Sequence, residues 1–213
     1  MGLDVELVSS PPGLDLLYVL LLRTHLVNGP RRLVFLRMQG IDFYDGVSTL
    51  GQLVEMETLE DLQLIGCPNY SHLLSDLKRL RLDLKAFRIH EYDMGEKDFE
   101  VDANEFIRSL SSLNRVSLTL DPDFDLPRPH NLLDWSALGA CASTLKYLRM
   151  ESYSIESPFP CRIFASNFAV LCRLATNLEQ SAISGVDIEP ETSDDASKDT
   201  SFRGISHFLV GHD

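Results

Sequence analysis

The chain has 213 residues, 44% hydrophobic and 24% charged, which is too apolar for a disordered chain and long enough for one domain with a sizeable core. Against 32 Asp and Glu stand 19 Lys and Arg, and the net charge of -13 repels phosphate backbones and acidic lipid surfaces, so neither nucleic acid nor membrane is an expected partner. The four cysteines, Cys67, Cys141, Cys161 and Cys172, form no CxxC pair and read as buried free thiols, which favours a reducing, intracellular setting in cytoplasm or nucleus.

Met1 to Ser10 is a short lead in which Asp4 to Val8 alternates polar and apolar residues, as a half-buried strand does. Pro11-Pro12-Gly13 breaks the chain, and Leu14 to Val27 reads as an apolar helix stopped by Asn28-Gly29-Pro30. Residues 1–32 are therefore expected to form an N-terminal cap with its apolar helix packed under the next element. The run Leu14 to Leu22 contains Asp15, falls short of the roughly 20 residues that span a bilayer, and follows no basic n-region of a signal peptide.

From Leu33 onward one frame recurs, LxxLxLxx followed by an apolar residue. Its clearest copy is Leu84-Lys85-Ala86-Phe87-Arg88-Ile89-His90-Glu91-Tyr92. The same frame fits Leu33, Leu36, Met38 and Ile41; Leu59, Leu62, Leu64 and Cys67; and Leu145, Leu148, Met150 and Tyr153. Looser copies are Leu113, Val116 and Leu118 with polar Asp121 last, and Leu178, Ile183 and Val186 with polar Ser181 in the second slot. Successive first leucines lie 26, 25, 29, 32 and 33 residues apart, in or just beyond the span of roughly 20 to 29 residues of a leucine-rich repeat.

Each frame reads as a strand and is followed by a helical stripe. The predicted helices run from Asp45 to Glu57, from Ser71 to Leu80, from Asn104 to Ser111 with Asn104 as N-cap, from Asn131 to Ala142, and from Ile163 to Ala175. Their inward residues include Leu50, Leu53, Val54 and Met56; Leu73, Leu74, Leu77 and Leu80; Phe106, Ile107 and Leu110; Leu132, Leu133, Trp135 and Leu138; and Phe164, Phe168, Leu171, Cys172 and Leu174. A single strand and helix cannot bury its apolar face alone, so neighbours stack and their strands pair in parallel. The expected fold is α/β: a leucine-rich-repeat solenoid of about six repeats over residues 33–186, with a concave parallel sheet and helices on the convex side. Residues 187–200 carry six acids, one lysine and Pro190 and read as an acidic linker; residues 201–213 read as a short C-terminal helix or the start of another repeat.

These residues resemble the leucine-rich-repeat superfamily over about Leu33 to Val186, in its longer, helix-bearing form seen in ribonuclease-inhibitor-like and F-box-associated proteins. Within it, Leu132-Leu133-Asp134-Trp135-Ser136-Ala137-Leu138 followed by Thr144-Leu145-Lys146-Tyr147-Leu148-Arg149-Met150 is similar to the irregular repeats of fungal F-box and leucine-rich-repeat proteins. No F-box is recognisable, because Pro12-Gly13-Leu14-Asp15-Leu16-Leu17 is followed too soon by a repeat strand. Two functions are compatible with the resemblance. One is a non-catalytic protein-interaction module. The alternative is the substrate-recognition part of an F-box-type ubiquitin-ligase receptor whose adaptor-binding module is absent or degenerate, which an adaptor pulldown separates from the first.

In such a strand the residues between the leucines face away from the core. The candidate partner-binding residues there are Phe35, Arg37, Gln63, Arg88, His90, Arg115, Tyr147 and Arg149, with Arg37, Arg88 and Arg149 in one column. Arginine forks bind carboxylate and phosphate, so the expected ligand is an acidic or phosphorylated segment of another protein, unless the arginines are paired internally, as Arg149 beside Glu151 allows. The loops after two strands hold an acidic rim, Asp93, Glu96, Asp98, Glu100 and Asp102 beside Asp121, Asp123 and Asp125, readable as a solvated edge or a strip for a basic partner. Asp121-Pro122-Asp123-Phe124-Asp125 is no EF-hand, having Leu126 in the glycine position and Leu132 in that of the bidentate Glu.

His90-Glu91-Tyr92-Asp93-Met94 has Met where a zinc protease needs its second His, and Gly46 to Gly51 has one residue too many for a nucleophile elbow. The sequon Asn69-Tyr70-Ser71 is short enough to arise by chance. The expectation is thus a monomer that is not an enzyme, with no catalytic residue, metal or cofactor.

Overall fold

The computed structural model describes residues 2–6, 31–43, 54–90, 99–120, 135–152, 161–184 and 186–189. In chain order its strands are β1 (Gly2–Glu6), β2 (Arg31–Arg32), β3 (Phe35–Gln39), β4 (Val54–Glu55), β5 (Asp61–Ile65), β6 (Ala86–His90), β7 (Arg115–Leu120), β8 (Tyr147–Ser152), β9 (Cys161–Phe164), β10 (Gln180–Ser184) and β11 (Val186–Glu189). The helices are α1 (Tyr70–Lys78), α2 (Phe99–Arg108), α3 (Trp135–Leu138) and α4 (Ala165–Leu174). The fold is α/β. Seven strands form one sheet in the order β1-β3-β5-β6-β7-β8-β10, parallel throughout and never departing from chain order. Two short parallel pairs, β2 with β4 and β9 with β11, stand apart from it.

The register explains why the leucine frame recurs. Leu36, Leu62, Phe87, Val116, Leu148 and Ser181 stand opposite one another across the ladders, as do Met38, Leu64, Ile89, Leu118, Met150 and Ile183. Side chains alternate along a strand, so both rows point to the same face, and both are buried. β1 joins β3 in the same register, Gly2 opposite Phe35. The strand expected over Asp4 to Val8 is thus present at Gly2–Glu6, with Leu7 and Val8 outside the described residues.

The backbone repeats with the side chains. The carbonyl of Val34 accepts the N–H groups of Glu60 and Asp61 at 2.9 and 3.0 Å, and that of Glu60 accepts Lys85 and Ala86 at 2.7 and 2.9 Å. The carbonyls of Lys85, Asn114 and Lys146 do the same for Asn114 and Arg115, Lys146 and Tyr147, and Glu179 and Gln180, at 2.8 to 3.0 Å. Five successive strands are therefore entered through one hydrogen-bonded turn that uses both lone pairs of a carbonyl. At the far ends of β3 and β5, Gly40 and Gly66 take φ of 67° and 53°. The left-handed turn there requires glycine, and it lets Gly40 donate to the Ile65 carbonyl at 2.9 Å.

The helices stack in the order of the strands, α1 on α2, α2 on α3 and α3 on α4. Leu73, Leu74 and Leu77 from α1, Phe106 and Ile107 from α2, Leu138 from α3 and Leu171 from α4 join the two strand rows in one core. Each such side chain contributes roughly 1.5–3 kcal/mol on burial. Phe87 of β6 meets Phe106 of α2 edge to face, ring centroids 5.1 Å apart. Among the described residues all four helices thus serve one face of the sheet, and the residues between the leucines point to the opposite face.

Several predicted elements are corrected. The helix expected from Asp45 to Glu57 has a different end: Val54 and Glu55 are β4, drawn into pairing with Arg31 and Arg32, and Met56–Thr58 is a single 3-10 turn; residues 44–53 lie outside the described set. α2 starts at Phe99, so Asn104 is a buried interior residue and not an N-cap, while Glu100 and Asp102 belong to this helix and not to a loop. Ile163 belongs to β9, whose Cys-Arg-Ile-Phe suits a strand, and α4 starts only at Ala165. The helix expected over Asn131 to Ala142 tightens to a 3-10 turn at Gly139–Cys141. Leu80 and Leu174, expected inside, are 37% and 52% exposed because they fall at or beyond the last turn of their helices. The linker expected from residue 187 is strand β11 as far as Glu189, where the alternation Val186-Asp187-Ile188-Glu189 outweighs the acids. The helix read over Leu14 to Val27 and the segment 201–213 lie outside the described residues.

Candidate functional site

On the face away from the core, Arg37, Gln63, Arg88, Ser117, Arg149 and Ala182 occupy one row, because the register is unbroken from β3 to β10. The preceding row is Phe35, Asp61, Ala86, Arg115, Tyr147 and Gln180, and the following one Gln39, Ile65, His90, Thr119, Glu151 and Ser184. Not every member of these rows meets solvent as expected: Ile65, Ser117 and Thr119 are buried. Ser117 is the shortest side chain between two arginines, Arg88 on one neighbouring strand and Arg149 on the other, and lies beneath their reach.

A groove of about 600 Å³ opens over this place, lined by Arg88, Arg115, Ser117, Tyr147, Arg149 and Glu151, with Gln180 and Ala182 at its end. Three arginines against one glutamate give the lining a charge of +2 on a chain of net charge -13. The guanidinium of Arg115 stacks on the Tyr147 ring, 5.1 Å from its centroid. The Tyr147 hydroxyl donates to Oε2 of Glu179 at 2.8 Å, and Nζ of Lys146 donates to Oε1 of the same carboxylate at 2.9 Å. Those two donors, Lys146 first, hold the Glu179 carboxyl below its ordinary range, and the bond to Glu179 pushes the Tyr147 hydroxyl up in turn.

Arg149 donates through Nη2 to Oε1 of Glu151 at 2.8 Å; Arg149 is 56% exposed and Glu151 only 16%, so the acid is set into the floor and the base stands over it. Arg88 reaches Oε1 of Gln63 at 3.5 Å, and Gln63 donates in turn to Asp61 at 3.3 Å. Further along the row, Arg37 donates to Gln39 at 3.1 Å. Pairing along the face is thus extensive.

Of the candidate residues, Arg88, Arg115, Tyr147 and Arg149 are brought together in the groove. Gln63 adjoins it through Arg88, His90 closes β6 one row away, and Phe35 and Arg37 sit on β3, two strands from β6. Asp93, Glu96, Asp98, Asp121, Asp123 and Asp125 lie outside the described residues, and Glu100 is in α2. Sequence reasoning missed Glu179, which accepts from the Tyr147 hydroxyl, and Lys146, which donates to the same carboxylate. Their signal is present in the chain, since the two opposite charges occupy the second position of successive frames.

The thiols of Cys67 and Cys141 are free and buried on the core side; burial pushes both up, Cys141 to about 11. Among the described residues no group of three or more His, Cys, Asp or Glu is placed to hold a metal ion, and no helix is long and apolar enough to cross a membrane. No protein-family model, no curated protein and no solved structure matches the chain.

Proposed function

We propose that the chain is a leucine-rich-repeat solenoid acting as a non-catalytic protein-interaction module, which takes an acidic segment of a partner protein into the groove over β6, β7, β8 and β10. The observation that carries this is the sign of the groove: +2 in the lining against -13 for the whole chain. An acidic segment is repelled by the net charge of such a chain and attracted to this groove, which confers orientation as well as affinity. Arginine forks are suited to carboxylates, and Tyr147, held by Glu179, offers a rigid aromatic flank. The repeat reading is supported by the unbroken strand order, the constant register and the five equivalent strand-entry turns.

The test is capture. Proteins retained by the immobilised chain are identified and the capture repeated with Arg88→Ala/Arg149→Ala, whose fold is checked by circular dichroism. Loss of a specific partner is the expected result, with weaker capture by the wild-type chain at high salt. Undiminished capture by the double variant overturns the proposal.

A further inference from the structure

We infer that the groove recognises a phosphorylated side chain of a peptide, with the phosphate seated over Ser117 between Arg88, Arg115 and Arg149. This deepens the interaction reading above and rests on it.

The geometry is that of a three-sided cradle. Arg88 and Arg149 stand in register with Ser117 on its two neighbouring strands, each about 4.8 Å away at the backbone. Arg115 precedes Ser117 by two residues on β7 and so shares its face, about 7 Å along the strand. Three long cationic side chains therefore start from positions around one short hydroxyl residue, and all four residues line the groove. Ser117 is only 6% exposed, so it forms the floor and leaves the space above it to a ligand.

Charge selects phosphate over carboxylate. A phosphomonoester carries about -1.5 to -2 at neutral pH, close to the +2 of the lining, whereas one carboxylate would neutralise only half of it. Donor number points the same way. Arg115 lies over the Tyr147 ring and its guanidinium makes no hydrogen bond among the described residues, so Arg115 keeps donors for an anion. Glu151 holds one end of Arg149 and orients it. It also faces the incoming anion as a like charge and opposes a dianion about twice as strongly as a monoanion, so the attraction of the three arginines must carry the preference.

The test uses the full chain with its arginine Nε–H signals followed by nuclear magnetic resonance, titrated at pH 7.5 with N-acetyl-phosphoserine amide and, separately, with N-acetyl-glutamate amide. The phosphoserine probe is expected to bind about tenfold or more tightly than the glutamate probe, with shifts centred on Arg88, Arg115 and Arg149. Arg88→Ala and Arg149→Ala should each weaken it about tenfold, Arg149→Lys less, and Glu151→Gln should tighten it. Affinity should fall as pH drops through about 6, where the phosphate takes up a proton. Equal affinity for the two probes overturns the inference, as does phosphoserine binding that survives Arg88→Ala/Arg149→Ala. So does tighter binding to phosphatidylcholine vesicles carrying phosphatidylinositol monophosphate than to phosphoserine, which would assign the cradle to a lipid headgroup. If the probes tie while the double variant still loses its captured protein, the phosphate inference falls and the interaction module stands.

Discussion

The hydroxyl of Thr144 donates to the carbonyl of Leu113, the first leucine of the preceding unit, at 2.7 Å, and Thr58 reaches the carbonyl of Leu33 in the same way at 3.0 Å. Each threonine stands immediately before a frame's own first leucine. The same position holds Asn177, which donates to the Ser143 carbonyl at 2.5 Å, and Ser112, which donates to Asp83, itself the residue before Leu84. At Leu59, Leu113, Leu145 and Leu178 the residue ahead thus fastens its unit to the previous one. Thr144→Val keeps the shape and removes the donor, so it should lower stability by about 1 kcal/mol, read as a shift in the urea midpoint at constant slope. Thr144→Ser, which keeps the hydroxyl, should shift it less.

Phe87 is the largest residue in its inward row and is 1% exposed, with its ring against Phe106. Phe87→Ala should cost about 3–5 kcal/mol, since it leaves a cavity in the core as well as removing transfer energy. Phe87→Leu restores the residue the frame prefers and should cost clearly less. Urea denaturation of the two variants measures the difference; equal losses would mean that Phe87 is not packed as described.

The buried thiols make a pH prediction. Cys141 rises from the ordinary 9.0 to about 11 because burial disfavours its thiolate. A group raised on folding stabilises the fold fully below its unfolded value and loses that contribution as pH climbs through the folded one, so the loss should fall between 9.0 and about 11. Cys67 is raised in the same direction. At pH 8 both should resist an aromatic disulfide reagent in the folded chain and react at once in denaturant.

Glu179 makes a prediction of opposite sign. Its carboxyl lies below the ordinary 4.5 because Lys146 and then Tyr147 donate to it. The stabilisation is present above 4.5 and is lost as pH falls through the lowered value. Tyr147→Phe removes one of the two donors and should move the Glu179 midpoint partway back up in a carbon-detected titration, with Lys146 retaining the rest.

The sheet was legible in the sequence because a half-buried strand marks its inward residues by alternation, and a leucine three places ahead of each pair sets the phase. Arg37, Arg88 and Arg149 could be placed in one row on that basis alone. The helix boundaries were less legible. Val54-Glu55 is too short to show a strand period, and the strand character of Cys161-Arg162-Ile163-Phe164 runs straight into the helical stripe that follows it, while each pairs with a segment more than twenty residues away. The groove was least legible, because its depth comes from the shortness of Ser117 beside Arg88 and Arg149, residues near in space and 29 and 32 positions away in the chain. The bracing of Tyr147 by Glu179 has the same origin.

The constant strand order has a kinetic consequence. Every ladder of the main sheet joins residues 25 to 33 positions apart, from Gly2 with Phe35 to Tyr147 with Gln180. Closure entropy changes by only about 0.6 kcal/mol for a doubling of loop length, so the six ladders form at nearly equal entropic cost and none must await the meeting of distant chain segments. Assembly can begin at any adjacent pair and zip outward, and amide exchange should be slowest in the middle strands β5, β6 and β7 and quicken towards β1 and β10.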